Sequence, residues 1–185
     1  MKTINKILLI GLCGTFLPIN FLTAQSPKPD EIEKINGALP SKATVQPKKA
    51  RKILVFNLTR GFKHDSIPIG AKTLELMGQK TGAFSVDVSE DISMFEQENL
   101  EKYDAVVFNN TTGDLFTPPN YKNMSPDEKK SADERSKLLK ANLLNFVKSG
   151  KGIIGIHAAT DCLYNWREYG EMMGGYFNGH PWGKV

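Results

Sequence analysis

Three histidines carry most of the chemistry that this sequence could perform. They are His64, His157 and His180, and each stands among small or polar residues rather than on the apolar stripe of a helix. An imidazole titrates near neutral pH, so it can act as a general acid, a general base or a metal ligand. A solvated or hydrogen-bonded structural histidine is the alternative for each of the three. His157 and His64 are the candidate catalytic residues.

A divalent metal is one alternative for the same residues. Neutral imidazoles with a nearby carboxylate suit a transition metal such as zinc, with His64, His157 and His180 as the ligands. Their spacing matches no local metal-binding motif, so the sequence leaves the cofactor unknown. No glycine pattern fits a P-loop or a dinucleotide site, so no nucleotide cofactor is expected.

The third candidate catalytic residue, Asp161, follows His157 by four positions. If a helix begins between them, Asp161 lies in its first turn and interacts with the helix dipole. The functional alternative is a carboxylate that orients His157 or a substrate hydroxyl. Residues 155–159 have the shape of a strand–turn–helix elbow with His157 at the nucleophile position, and Cys162 comes five residues later. This weighs against covalent catalysis by serine or cysteine, and Cys162 is expected to be a small core residue.

A polar run and a group of aromatic residues are candidates for substrate binding. Asn109, Asn110, Thr111 and Thr112 follow a strand and suit sugar hydroxyls, although they also suit a simple turn. The aromatic residues crowd the C-terminal part, where they either stack on pyranose rings or belong to the core. They are Trp166, Tyr169, Tyr176, Phe177 and Trp182. The predicted substrate-binding set is Asn109, Asn110, Thr111, His180 and Trp182.

Alternating strands and helices must position these residues. Apolar runs predict buried strands at 53–56, 105–108 and 153–156, and an alternating pattern predicts a strand at 84–88. Three helices are predicted between the strands. Apolar residues at helical spacing predict one from Ile67, a short helix lies within 93–102, and a capping box at Ser125 begins the third. This order predicts an α/β fold, an open parallel sheet with helices on both faces. The loops at 57–66, 109–114 and 157–161 should then meet at the carboxyl edge of the sheet.

The N-terminal segments differ in composition from the rest of the chain. Residues 1–25 have a basic start, an apolar stretch and small residues at 23–24, which predicts a signal peptide and a periplasmic or secreted protein. An uncleaved anchor is the lesser alternative. Residues 26–49 are rich in Pro, Lys, Ser and Glu, which predicts a linker or loosely held arm before a domain at 50–185. Without Lys2 and Lys6 the 24 basic residues fall to 22 against 20 acidic ones, so no nucleic-acid partner is expected.

Four segments together resemble the ThuA-like (trehalose utilisation) family over residues 51 to 185. They are RGFKH (60–64), NNTTGD (109–114), GIHAATD (155–161) and GGYFNGHP (174–181). The resemblance implies a class I glutamine amidotransferase-like, flavodoxin-like fold and a link to disaccharide or glycoside metabolism. The family lacks the amidotransferase cysteine, so the chain is not expected to be a functional glutamine amidotransferase. Family members continue past the His-Pro motif, so 50–185 is expected to be the N-terminal part of a C-terminally truncated domain.

The topology then predicts a single cleft. In a flavodoxin-like order the first, third and fourth strands are neighbours, and the strand at 84–88 lies outside them. Strands 53–56, 105–108 and 153–156 should be central because they are the most uniformly apolar. Their exit loops carry His64, Asn110 and His157, which we therefore expect to line one cleft.

The leading hypothesis is an exported enzyme that processes a disaccharide, glycoside or keto-sugar by histidine-centred chemistry, with a hydrolase-type reaction as one option. The expected partner is a small-molecule sugar, without stable membrane insertion after the signal peptide is cleaved. The alternatives are a non-catalytic sugar-binding module and an inactive fragment of a split gene.

Overall fold

The computed structural model describes residues 26–181 and has an α/β architecture. The strands in chain order are β1 (Lys52–Phe56), β2 (Ser85–Ser89), β3 (Ala105–Asn109), β4 (Thr112–Gly113), β5 (Gly152–Ile156) and β6 (Asp161–Cys162). The helices are α1 (Pro29–Ala38), α2 (Ile67–Thr81), α3 (Gln97–Leu100), α4 (Pro126–Lys148) and α5 (Arg167–Met173). Short 3₁₀ helices lie at Ile92–Phe95, Tyr121–Asn123 and His157–Thr160.

The main sheet is fully parallel and has the strand order β2-β1-β3-β5. This confirms the predicted open α/β, flavodoxin-like fold, and it confirms that the strand predicted at 84–88 lies outside β1. In the register, Phe56 pairs with Phe108, and Asn109 pairs with Ile156. The three strands therefore end at nearly the same level, so their exit loops begin side by side.

Alternate residues of the central strands pack into two cores. Leu54, Phe56, Val106 and Phe108 face the larger core, which α3, α4 and α5 cover. Ile53, Val55 and Val107 face a smaller core under α2. Helices therefore lie on both faces of the sheet, and β1 and β3 are buried on both sides, as their continuous apolar runs predict.

The prediction that residues 153–156 form a central strand buried on both faces is wrong. In the described part of the chain, β5 is an edge strand of the main sheet, and Ile154 is 48% exposed. Ile153 packs on the larger core and Ile156 on the smaller one. Ile154 lies on the same face of the sheet as Ile156 but outside the smaller core, in which α2 packs on β1 and β3. An apolar run reports hydrophobicity, whereas burial also depends on which element covers the strand.

Sequence signals mark the start of α4 and the end of α2. Ser125 and Glu128 form the capping box of α4, with Ser125 N donating to Glu128 Oε2 at 2.8 Å. Gly82 ends α2 in the left-handed region, with φ of 66°. Ser66 stands at the N-cap position of α2, but its side chain caps no backbone N–H, and its Oγ donates instead to Asn110 Oδ1 at 3.0 Å.

The segment predicted as a linker, 26–49, contains the ten-residue helix α1. Lys80 of α2 holds the end of this helix, because its Nζ donates to Asn36 O at 2.6 Å and to Leu39 O at 2.9 Å. Leu39 is buried at this junction. The domain boundary at residue 50 stays a prediction, and the predicted signal peptide (1–25) lies outside the described residues.

Within residues 26–181, none of the helices combines the length and the apolar character that crossing a membrane requires.

Candidate functional site at the carboxyl edge of the sheet

Two histidines from distant parts of the chain meet at the carboxyl edge of the sheet. His64 comes from the loop after β1, and His157 follows β5 directly. Their ring centroids are 4.6 Å apart with an interplanar angle of 78°, an edge-to-face contact. His157 is exposed and His64 is half-buried. The structure therefore brings together two of the three predicted catalytic residues, side by side and accessible to a ligand.

The backbone at His157 forms a sharp elbow. His157 has φ of 51°, in the left-handed region that residues other than glycine rarely occupy. The elbow is crowded, because a Cβ added at Gly155 would lie 3.0 Å from Met173 Sδ and 3.1 Å from Ala159 Cβ. The glycine thus allows α5 and the 3₁₀ turn to pack against the end of β5, and this packing fixes the direction in which His157 leaves the sheet.

The loop after β1 folds back over the strand ends and so brings His64 to the edge. Arg60 N donates to Thr112 O at 2.7 Å, and Thr112 Oγ1 donates to Phe62 O at 2.7 Å. A Cβ at Gly61 would lie 3.2 Å from Thr112 Oγ1, so the close approach favours glycine at this position. Thr112 therefore ties the His64 loop to β4.

Phe62 is a neighbour of the histidines that the sequence reasoning did not select. Its ring centroid is 4.8 Å from that of His64, and its side chain is 70% exposed. The available signal was a large apolar residue in an otherwise polar loop. An exposed aromatic ring at this place can stack on an apolar face of a ligand.

The asparagines at the end of β3 are structural in this arrangement. Asn109 Nδ2 donates to Asn57 Oδ1 at 2.8 Å and to Ile67 O at 2.9 Å. Asn110 Nδ2 donates to Asn109 Oδ1 at 2.8 Å, and Ser66 bonds Asn110 in turn. We call Asn57, Asn109, Asn110 and Ser66 the amide network. It joins the ends of β1 and β3 to the start of α2.

The predicted role of Asn109, Asn110 and Thr111 in substrate binding finds no support in their burial. Their exposed fractions are 0%, 2% and 0%. Thr111 Oγ1 lies 3.4 Å from Cys162 Sγ in the core. These side chains therefore support the edge on which the histidines stand, and their part in substrate binding stays a prediction.

The electrostatics of the site favour a neutral His64. Partial burial lowers the pKa of His64 from its usual 6.5, and the positive charge of a protonated His157 lowers it further. The carboxylates of Asp161 and Asp65 act in the opposite direction, but more weakly. His64 is thus a neutral imidazole at pH 7 and can accept a proton.

Asp161 does not lie in the first turn of a helix, which corrects that expectation. It follows the 3₁₀ turn and belongs to β6, where it pairs with Thr112 of β4. Tyr164 Oη donates to Asp161 Oδ1 at 2.5 Å, and Phe177 O lies 3.1 Å from the same hydroxyl. Burial and the Asp161 carboxylate raise the pKa of Tyr164 to about 12. Asp161 is therefore a carboxylate oriented by a hydrogen bond and close enough to act on the pKa of His64. Tyr164, which orients it, is a second site residue that the sequence reasoning missed.

Two predicted site residues remain, His180 and Trp182. His180 is exposed and its ring centroid lies 5.0 Å from that of Phe177, whereas Trp182 lies outside the described residues. Within residues 26–181, no group of three or more His, Cys, Asp or Glu side chains is arranged to hold a metal ion. The structure thus does not assemble His64, His157 and His180 as a ligand set.

Cys162 and most of the C-terminal aromatic residues belong to the core. Cys162 Sγ donates to Ala159 O at 3.2 Å, and burial raises the pKa of its thiol. Trp166 and Tyr169 are buried in the larger core, and Tyr176 packs against it. The thiol is therefore neutral and inaccessible, which agrees with the expectation that Cys162 is a packing residue.

Comparison with known proteins gives a match to a family model. Searches of curated proteins and of solved structures found no match. The family model described as ThuA, trehalose utilisation, matches residues 52–185, which is most of the chain and includes both histidines of the pair. The elbow at His157, the folded-back His64 loop and the parallel sheet all lie within the matched region. The chain therefore belongs to the ThuA (trehalose utilisation) family of the glutamine amidotransferase-like superfamily.

Proposed function

We propose that the chain is an exported carbohydrate-processing enzyme domain in which His64 and His157 transfer protons to and from a sugar. The observation that carries the proposal is the 4.6 Å contact between the two imidazole rings at the carboxyl edge of the sheet. The family description, trehalose utilisation, supports a role in carbohydrate utilisation and a disaccharide, glycoside or keto-sugar as the substrate.

The two imidazoles have different roles in this proposal. His64 has a lowered pKa, so at neutral pH it can accept a proton from a sugar hydroxyl or from water. The positive charge that then forms on His64 is stabilised by the nearby carboxylates of Asp161 and Asp65. His157 is exposed beside it and presents a second imidazole, which can donate a proton to a leaving or carbonyl oxygen.

A non-catalytic sugar-binding module is the second candidate. The exposed ring of Phe62 favours it, because an aromatic face beside polar side chains is suited to stacking with a pyranose ring. The same residues serve both candidates, so only turnover separates them.

Substitution of His157 and His64 by alanine tests the proposal. Each variant should lose about 10²–10⁴-fold in turnover of the processed sugar, which is the range for general acid–base catalysis, and should retain sugar binding. Asn145→Ala, on the exposed face of α4, is the control and should match the wild type. The substrate panel contains trehalose, other disaccharides, glycosides and keto-sugars. If the wild-type protein binds a sugar of this panel but converts none of them, the binding module is the better description.

Export is part of the proposal and rests on the sequence of residues 1–25. Lys2 and Lys6 precede an apolar stretch that ends in small residues, a pattern typical of secretory signal peptides. Protein recovered from the cell envelope should begin near Gln25 or Ser26 when its N-terminus is sequenced. A chain that retains Met1 in a cytosolic fraction would contradict export.

A further inference from the structure

A cavity of about 400 Å³ lies between the start of α1 and the loop that carries His64. Lys28 and Glu31 line it on the α1 side, and Lys63 and His64 line it on the side of the loop. The volume is near the lower end of the range for small-molecule sites, which fits one sugar ring better than an extended chain. We call it the arm cavity, because the arm that begins at residue 26 forms one of its walls.

The chemistry of the arm cavity suits a neutral, hydroxyl-rich ligand. Its acidic and basic residues nearly balance, so it does not select a strongly charged molecule. They are Lys28, Lys63, Glu31, Asp65 and Glu90. Ile67, Pro68 and Ile69 add an apolar surface. Charged side chains that can bond hydroxyls, next to an apolar patch, match the two faces of a sugar ring.

Two of the charged side chains that line the cavity, Lys63 and Glu90, have no bonding partner within residues 26–181. Neither Lys63 nor Glu90 makes a hydrogen bond or ion pair with any side chain or carbonyl of residues 26–181. Both line the cavity. Their donor and acceptor groups are therefore available to a ligand.

His64 links the arm cavity to the histidine pair. Its ring contacts His157, and the same residue lines the cavity. A ring held in the cavity thus has a hydroxyl within reach of the imidazole that accepts the proton. The opposite wall belongs to the arm, whose far end is held by Lys80, because Lys80 Nζ donates to Asn36 O and Leu39 O and Leu39 is buried.

We propose that the arm cavity is the sugar subsite of the histidine site, in which Lys63 and Glu90 bind the hydroxyls of one ring of a disaccharide. The nature of the ligand rests on the proposed function, whereas the position of the subsite rests on the cavity and its free charged groups. The start of the arm, residues 26–31, is then a part of the binding site and not only a linker.

Trehalose titration of the full chain tests this subsite, with calorimetry for the affinity and amide chemical shifts for the position. Lys63→Gln and Glu90→Gln should each weaken binding roughly tenfold, as expected for a lost hydrogen bond to a charged group. Lys34→Gln is the matched control, because Lys34 is exposed on α1 and does not line the cavity. Its affinity should equal that of the wild type. Shift changes should concentrate at residues 63–69 and at Lys28 and Glu31.

Three outcomes would overturn the subsite. They are unchanged affinity in both glutamine variants, shift changes confined to residues far from the cavity, and no binding of trehalose, maltose, sucrose or glucose. Sugar binding in the cavity without turnover contradicts the proposed enzyme and leaves the subsite intact. Turnover with unchanged KM in Lys63→Gln and Glu90→Gln contradicts the subsite and leaves the enzyme intact.

Discussion

At the scale of single residues, the site depends on two imidazoles that repel each other when both are protonated. Burial, and after it the positive charge of a protonated His157, lowers the pKa of His64. Since the pKa of His64 is lowered, the neutral base is present above that pKa and disappears as the pH falls through it. The proposed activity should therefore have an acidic limb that lies below 6.5, the usual pKa of histidine.

Asp161→Asn should move this acidic limb to lower pH. The Asp161 carboxylate raises the pKa of His64, so its removal lowers that pKa further. NMR titration of the His64 ring protons measures the shift directly, even without a substrate. Glu168→Gln, on the exposed surface of α5, is the control and should leave the titration unchanged. A His64 titration that moves to higher pH in Asp161→Asn would contradict the electrostatic assignment.

Asn109→Ala should destabilise the fold by about 3 kcal/mol, because it leaves several buried polar groups of the amide network without partners. Asn109 donates to Asn57 and to the carbonyl of Ile67, and it accepts from Asn110. Urea unfolding measures the change in free energy. Asn145→Ala, an exposed asparagine of α4, should change it by less than about 0.5 kcal/mol. Equal effects of the two substitutions would show that the network contributes no stability.

Topology predicts which residues lie at the edge of the sheet but not which way their side chains point. The sequence placed His157 and Asn110 at strand ends that meet, and the structure has them there. The direction of Asn109 and Asn110 into the protein depends on partners 40 or more residues away, Asn57, Ile67 and Ser66. No local pattern reports such partners, so the same polar run fits a ligand site and a buried network equally well.

At the scale of elements, β3 and β5 show how burial separates two strands with similar sequences. Val107 and Ile154 are partners in the register, yet Val107 is 0% exposed and Ile154 is 48% exposed. The order of strands and helices was predictable from hydrophobic periodicity. The burial of each strand was not predictable from its sequence, because it depends on how much of the sheet α2 packs against.

Threonine substitutions at this register pair should differ clearly in their cost. Val107→Thr buries a hydroxyl in the smaller core and should cost about 2 kcal/mol of unfolding free energy. Ile154→Thr places the hydroxyl at a half-exposed position and should cost less than about 1 kcal/mol. Chemical denaturation of both variants provides the comparison. Similar losses would mean that the face of β5 at Ile154 is covered in solution.

At the scale of the whole molecule, the N-terminal arm is attached to the domain at a small number of points. Most of α1 is exposed, and none of its own residues is buried. Its attachment depends on Lys80 of α2, whose ammonium bonds two carbonyls at the end of α1, and on Leu39. The composition of 26–49 predicted a linker. It could not predict the attachment of α1, because Lys80 bonds backbone carbonyls, which every residue type carries.

Lys80→Met should loosen the arm without unfolding the domain. Hydrogen exchange of the amides in 29–38 should become faster, while exchange in β1 and β3 stays at the wild-type rate, since the cores contain no residue of α1. Lys72→Met, which removes an ion pair with Glu75 on the same helix, is the matched control and should leave α1 unchanged. Unaltered exchange of α1 in Lys80→Met would show that Leu39 and the helix contacts suffice to hold the arm.

The left-handed backbone at His157 lowers the stability of the fold, whereas the proposed chemistry requires an imidazole at this position. At φ of 51°, glycine is free of the steric cost that any residue with a Cβ meets there. His157→Gly should therefore be about 1 kcal/mol more stable than His157→Ala in thermal or chemical unfolding. Equal stabilities would mean that the elbow is relaxed in solution. If the difference is found, selection of variants for heat resistance alone would favour glycine at position 157 and would remove the imidazole. A screen for stable variants should therefore also measure the proposed sugar conversion.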